Sequence, residues 1–149
     1  MTQPLLTYRG TVYPWHCDHV GHMNVMWYVG KFDEATWNLF HHVGLTPSYL
    51  REQDRGMAAV EQRLFYLREL RAGAVVTIRS VVNEVREKVI VFTHEMTNDD
   101  TGEPAARTVL TGVHMDTARR KACPFEAHVL EAATKLAQAQ GAHEPRGGA

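Results

Sequence analysis

The apolar residues Val25, Tyr28, Val29, Phe32, Ala35, Leu39, Phe40 and Val43 recur at i, i+3, i+4 and i+7, the spacing that lines one face of an α-helix. Gly44 follows where a left-handed residue commonly closes a helix, so the pattern predicts one long helix over 25–43. Trp27 and Trp37 fall outside the stripe. A helix that is apolar on more than one side is surrounded, here by a sheet or by a partner. Gly30 costs about 1 kcal/mol against alanine inside a helix, and close packing is the expected reason for its presence.

Elsewhere the period changes to two. Tyr8 to Pro14 reads as a first strand, and Met57 to Leu67, Val75 to Val85, Lys88 to Thr97 and Glu103 to Met115 as four more. The connections Arg71-Ala72-Gly73, Arg86-Glu87 and Asn98 to Gly102 are short, which predicts an antiparallel meander. Thr46-Pro47 has the N-cap and N1 signature of a short second helix ending near Gly56. Val129, Leu130, Ala133, Leu136 and Ala137 mark a last helix within Pro124 to Gln140, and Gly141 to Ala149 is expected as a flexible tail. The order implies a single α+β domain over 1–149, its core at about 8–140, with an antiparallel sheet wide enough to wrap the long helix.

Apolar content of 44% and charged content of 22% are those of an ordinary globular domain. A formal net charge of -1 argues against a nucleic-acid partner, which calls for a basic excess. Cys17 and Cys123 are too few for a disulfide scaffold. The stretch from Met1 to Gly10 has neither a basic start nor a continuous apolar run, and no run of about 18 apolar residues occurs in the sequence. A cytoplasmic protein without a membrane span is the expectation.

The segment His16-Cys17-Asp18-His19-Val20-Gly21-His22-Met23-Asn24 concentrates the candidate chemistry. His16, His19 and His22 are imidazoles at spacing three, but Pro14 and Gly21 disfavour a helix there, and no second ligand pair of zinc-site spacing follows. No metal is expected. Cys17 has His16 and His19 as candidate bases in sequence only. Adjacent side chains of a looped backbone point apart, which favours a small buried residue over a nucleophile. Asp18 precedes the helix start by a glycine-containing turn. Free N–H groups at that start carry partial positive charge and can hold an oxyanion. A carboxylate beside them suits attack on a carbonyl, as nucleophile or as base for water. An ordinary loop-fixing aspartate fits the spacing equally well.

The run Asp18-x-x-Gly21-His22-Met23-Asn24-x-x-x-Tyr28, followed by Phe32-Asp33-Glu34-Ala35, resembles the first loop and helix of hotdog-fold acyl-CoA thioesterases of the 4-hydroxybenzoyl-CoA thioesterase-like family. The resemblance extends from about Tyr8 to the helix after Pro124. It implies a sheet of five or six antiparallel strands wrapped around one long helix, and a homodimer or homotetramer whose sheets join edge to edge. It also implies an acyl-CoA substrate and no further cofactor. By the same resemblance Asp18 attacks the thioester or activates water, His22 and Asn24 stand beside it, and the backbone at Asn24, Val25 and Met26 holds the oxyanion. Tyr28 becomes a pocket residue. Arg86 and Lys88 match a basic cluster that contacts CoA, with Arg68 and Arg71 as a second pair. His22 and Asn24 replace apolar residues of the hydroxybenzoyl branch, which weakens the case for an aromatic acyl group. Glu61 and Gln62 alternate across the second strand, so only one of them can face the site.

Two other classes stay open. A hotdog hydratase acting on enoyl-CoA carries an Asp-x-Asn-Pro-x-His run; here Asp18 and His22 are four apart and the proline is missing. A non-catalytic acyl-CoA binder would not need the Asp18 carboxylate. Trp15, Met26, Tyr28 and strand residues set the size of any acyl pocket, and the sequence alone does not order them.

Overall fold

The computed structural model describes residues 4–141; the expected tail, beyond Gly141, lies outside them. Strands β1 (Leu5–Thr11), β2 (Arg55–Tyr66), β3 (Val75–Val85), β4 (Val89–Asn98), β5 (Pro104–Asp116) and β6 (Lys121–Ala122) form one antiparallel sheet. With them stand α1 (Val25–His42), α2 (Pro47–Glu52) and α3 (Ala127–Ala139). β1 begins three residues before the predicted strand because a polar residue supplies its buried position: Thr7 shares a 2.7 Å hydrogen bond with the Ser80 hydroxyl. α2 stops at Glu52, and Asp54 at φ 52° turns the chain into β2, so Gly56 belongs to the strand rather than to the helix end.

The strand order β1-β3-β4-β5-β2 corrects the predicted meander. Among the five long strands only β3, β4 and β5 pair in chain order; the short β6 pairs with β5 off that path. β2 pairs with β5, Arg55 opposite Asp116 and Tyr66 opposite Ala106, while β3 takes β1 as its other neighbour. The chain between Tyr66 and Val75 therefore crosses the sheet. Its anchors are tertiary: Leu70 is buried, its carbonyl accepts the Met23 N–H at 2.7 Å, and Gly73 N–H and Ala74 C=O both bond to the Val12 backbone at 2.8 Å. The turn at Arg71 to Gly73 thus feeds β3 alongside the end of β1, away from β2.

The sheet curls around α1. Asn24 caps that helix, its Oδ1 accepting the Met26 N–H. At the other end Gly44 at φ 95° lets Leu45 N–H reach Phe40 C=O at 2.8 Å and Gly44 N–H reach His41 C=O at 3.2 Å, a Schellman closure. The buried face is Tyr28, Lys31, Phe32, Ala35, Thr36, Leu39 and Phe40. That is the predicted stripe turned about the axis, because Val25 and Val29 stay exposed while Lys31 and Thr36 go in.

The buried polar side chains that face α1 and the inner sheet have partners, as burial requires. Lys31 Nζ donates to Tyr8 Oη at 2.7 Å. His94, fully buried on β4, stands between Thr36 Oγ1 at 2.8 Å and Ser80 Oγ at 2.5 Å. Gln140 bonds Val82 N–H and Ser80 C=O at 2.9 and 3.1 Å, filling the edge of β3 where β1 has not begun. Gly30 departs from expectation. A Cβ there meets only a Trp27 ring carbon at 3.7 Å, ordinary contact, so close packing does not account for it. Among the described residues no helix is long and apolar enough to cross a membrane.

Candidate active site

The loop between β1 and α1 is held by its own backbone. Pro14–His16 make one 3-10 turn, Cys17 bridges Met23, and Asn24 N–H donates to His16 C=O at 2.8 Å. Within the bridge, Gly21 N–H donates to Asp18 C=O at 3.0 Å, with Gly21 at φ 99°, a region that favours glycine. The tight turn presents the Asp18 side chain to the helix start.

Asp18 Oδ1 accepts Val20 N–H at 2.9 Å, and Oδ2 accepts the Asn24 side-chain amide at 2.8 Å. The Asn24 hydrogen bond first, then that of Val20, holds the Asp18 carboxyl below its ordinary range. Asn24 also caps α1 through Met26 N–H at 3.0 Å, and its own N–H is spent on His16. Of the three backbone donors named for the oxyanion, Asn24 and Met26 are therefore engaged. Among the described residues the Val25 N–H has no partner. Val25 and Met26 are exposed, so the helix start is open.

The other candidates divide. His22 stands on the same loop with Nε2 3.4 Å from Glu69 Oε2, while His16 is buried, its Nδ1 accepting Tyr13 N–H and its ring 4.5 Å from Trp27. His19 is exposed. The three imidazoles do not converge, and among the described residues no group of three or more His, Cys, Asp or Glu is placed for a metal. Cys17 is half-buried with its sulfur 3.9 Å from Tyr13 C=O. Tyr28 is buried, its hydroxyl donating to Arg68 C=O at 3.1 Å, and burial pushes its pKa up to about 12. It ties α1 to the crossover loop beside Asp18.

Arg86 and Lys88 lie at the β3–β4 turn. β3 runs ten steps from there to Val75, roughly 33 Å at strand rise, and Val75 is the end next to Thr11 and the Asp18 loop. One protomer does not bring the two together. Arg68 and Arg71 are nearer in the fold, on the crossover loop; Arg68 pairs with Glu103 at 3.0 Å, and Arg71 has no ion-pair partner among the described residues.

A cavity of about 110 Å³ opens between α1 and strands β2, β4 and β5, lined by Val29, Asp33, Trp37, Phe40, Met57 and Gln62 among others. Gln62 faces it and donates to Thr108 Oγ1 at 3.2 Å, whereas Glu61 pairs with Arg63 at 3.4 Å. Sequence reasoning passed over Asp33. The available signal was that Asp33 and Trp37 are one turn apart on α1 at the border of the apolar stripe, next to Val29 and Phe40.

The profile of the thioesterase-like superfamily matches residues 12–133, across the loop, α1, strands β2 to β6 and the first half of α3. The chain belongs to that superfamily. It is a thioester hydrolase of hotdog fold. This thioesterase is similar to a betainyl-CoA thioesterase of Pseudomonas aeruginosa, 28% identical over 95% of this chain and 89% of that protein. It is also similar to an L-carnitine dehydrogenase/betainyl-CoA thioesterase of Agrobacterium fabrum, 32% identical over 75% of this chain but only 22% of that longer protein. In fold the thioesterase matches a hypothetical protein of Staphylococcus aureus solved in complex with CoA, with a TM-score of 0.89 at 19% identity, over 98% of this chain and 92% of that one.

Proposed function

We propose that this thioesterase hydrolyses an acyl-CoA ester with Asp18 as the reacting carboxylate and the Val25 N–H as oxyanion donor. The observation that carries the reading is the Asn24 side chain, which orients Asp18 on one side and caps α1 on the other, with Val25 N–H left free beside it. A preorganised donor aimed at a developing oxyanion is the largest single contribution in many acyl transfers. A carboxylate held below its usual range is present as the anion that attack on the carbonyl carbon requires, and this reading takes direct attack as the first step. The C–S bond then breaks, CoA leaves as thiolate and takes a proton from solvent. Water hydrolyses the Asp18 acyl anhydride, freeing the acid and restoring the carboxylate.

The site is open in one protomer, and a second copy supplies its closure. β2 is a twelve-residue edge strand with Val60 exposed, an edge that natural proteins cover or pair. In this reading two copies join at β2, and Arg86 and Lys88 reach CoA phosphates only from a second copy, while Arg71 serves from the same chain. The two curated relatives make betainyl-CoA the first ester to assay.

The test is hydrolysis of an acyl-CoA panel by the wild type and by Asp18→Asn, with rapid-quench mass spectrometry for an acyl adduct on the Asp18 peptide. Loss of turnover by orders of magnitude in a folded Asp18→Asn protein supports the assignment. Retained hydrolysis ends it.

A further inference from the structure

We propose that the turn between β5 and β6, Arg119-Arg120-Lys121, holds the 3′-phosphate of the CoA bound in the other protomer of a two-fold pair. The inference rests on the thioesterase reading above and adds to it the part of the substrate that the second copy reads. The turn has a fixed shape. Asp116 Oδ1 accepts both Ala118 N–H and Arg119 N–H, at 3.0 and 2.9 Å, and Arg120 at φ 57° sends the chain back so that Lys121 pairs with Asp116. All three cations are exposed, and none has an ion-pair partner among the described residues.

Charge differs between the two ends of the sheet. At the turn, Asp116 and Glu126 are matched by Arg55 at 3.4 and 3.8 Å, and Glu84 by Arg86 at 2.9 Å. Asp54 and Glu87, next to the turn in the fold, carry no ion pair among the described residues, against the four cations Lys88, Arg119, Arg120 and Lys121. The Asp18 end has the opposite character. Glu69, Asp99, Asp100 and Glu103 gather there, with Arg9 spent on Asp99 at 3.6 Å and Arg68 on Glu103 at 3.0 Å. Arg71 is left as the one exposed cation that a chain offers to the phosphates of its own substrate among the described residues of that end. A phosphate dianion is best gripped by the paired N–H groups of arginine.

Topology carries the turn across. Thr117 N–H donates to Asp54 C=O at 3.0 Å, so the turn stands against the start of β2, a strand nearer the free edge than Arg86 and Lys88. Two β2 edges joined about a two-fold axis near Val60, the middle of the strand, run antiparallel, which sets the start of β2 in one protomer beside Tyr66 in the other. Tyr66 is at the mouth of the Asp18 site: its ring meets that of Tyr28 at 5.2 Å, and the Tyr28 hydroxyl bonds Arg68 C=O. By helix rise and strand spacing, the Val25 N–H is then roughly 20 Å from the turn of the second copy. The pantetheine arm of CoA spans roughly 15 Å, by the reach of an extended chain, and leaves the pyrophosphate short of the turn. The 3′-phosphate lies one nucleoside further out, where the turn stands.

The probe is the acyl-CoA of the panel above with the highest kcat/KM, set beside the same acyl ester of 3′-dephospho-CoA, which lacks only the terminal phosphate. The wild type is expected to prefer the full ester by about tenfold or more in kcat/KM, the difference falling on KM. Arg119→Gln, Arg120→Asn and Lys121→Gln together should bring the two esters to within about twofold, with folding checked by circular dichroism. Asparagine is chosen at position 120 because it tolerates the left-handed backbone. A ratio unmoved by the triple variant overturns the inference, as does equal use of the two esters by the wild type, while the thioesterase reading stands. Absence of hydrolysis with every acyl-CoA removes both.

The copy that supplies the turn is read from a heterodimer of Asp18→Asn with the triple variant, isolated through two different affinity tags. One of its two sites combines an intact Asp18 with an intact turn from the other chain, so about half the wild-type kcat/KM is expected. A turn acting within its own chain leaves no intact site and gives at most about half the value of the triple variant. That result overturns the inference, and so does a wild type that stays monomeric.

Discussion

Asn24 donates its side-chain amide to Oδ2 of Asp18 at 2.8 Å and, through the oxygen of the same amide, accepts the Met26 N–H at 3.0 Å. One side chain therefore fixes both the helix start and the carboxylate. Removing it releases two things at once. Asn24→Ala is expected to cost about 1 kcal/mol of stability as a lost cap. Because the Asn24 hydrogen bond is the first cause of the low Asp18 pKa, the variant raises that pKa towards the ordinary value. The acidic limb of kcat/KM against pH should then move to higher pH, with activity lost sooner on acidification. An unmoved limb alongside the lost stability shows that Asp18 is not the group whose ionisation the rate reports.

His94 offers a pH test of the core. Burial pushes its pKa from 6.5 down to about 3, so the folded protein keeps it neutral where the unfolded chain takes a proton. The stability contribution is complete above pH 6.5 and falls as the pH drops from there towards 3, by at most about 1.4 kcal/mol per pH unit. His94→Gln, neutral throughout, lacks that component. Urea midpoints at pH 7 and pH 5 should show the wild type losing more stability than the variant across the interval. Equal losses contradict a neutral buried imidazole.

Gly30 is available for stabilisation. A Cβ meets nothing closer than 3.7 Å, and the residue sits within α1 at ordinary helical φ. Gly30→Ala should raise stability by about 0.5–1 kcal/mol, measured by thermal or urea unfolding. A loss instead indicates that a second copy packs against this position.

Val60, on the unpaired edge of β2, is 60% exposed. A lysine on an edge strand discourages pairing, so Val60→Lys should halve the solution mass of the proposed assembly in light scattering. It should also lower turnover, because the open helix start loses its cover. A wild type that is monomeric at micromolar concentration removes the edge-to-edge arrangement.

Local pattern determined much of this protein. The 3.6-residue period over α1, the alternation in β2 to β5 and the chemistry of Gly44 each act through a few neighbouring residues, so they are readable from the chain. The glycine turn after Asp18 was legible for the same reason, whereas the cap that Asn24 places on α1, and the loss of its own and the Met26 N–H as free donors, came only from the structure. Strand order was not. The crossover after Tyr66 depends on Leu70 finding the core and on Gly73 and Ala74 pairing with Val12, contacts about sixty residues apart in the chain. The burial of Lys31 and His94 rests on Tyr8, Thr36 and Ser80, partners that only folding brings to them. The turn of α1 that buries Thr36 and exposes Val25 and Val29 belongs to the curl of the sheet, because the sheet covers one side of the helix and leaves the ridge from Val25 to Trp37 to the cavity and the open surface. Short-range hydrogen bonding wrote the elements and the loop into the sequence. Long-range burial decided which faces meet.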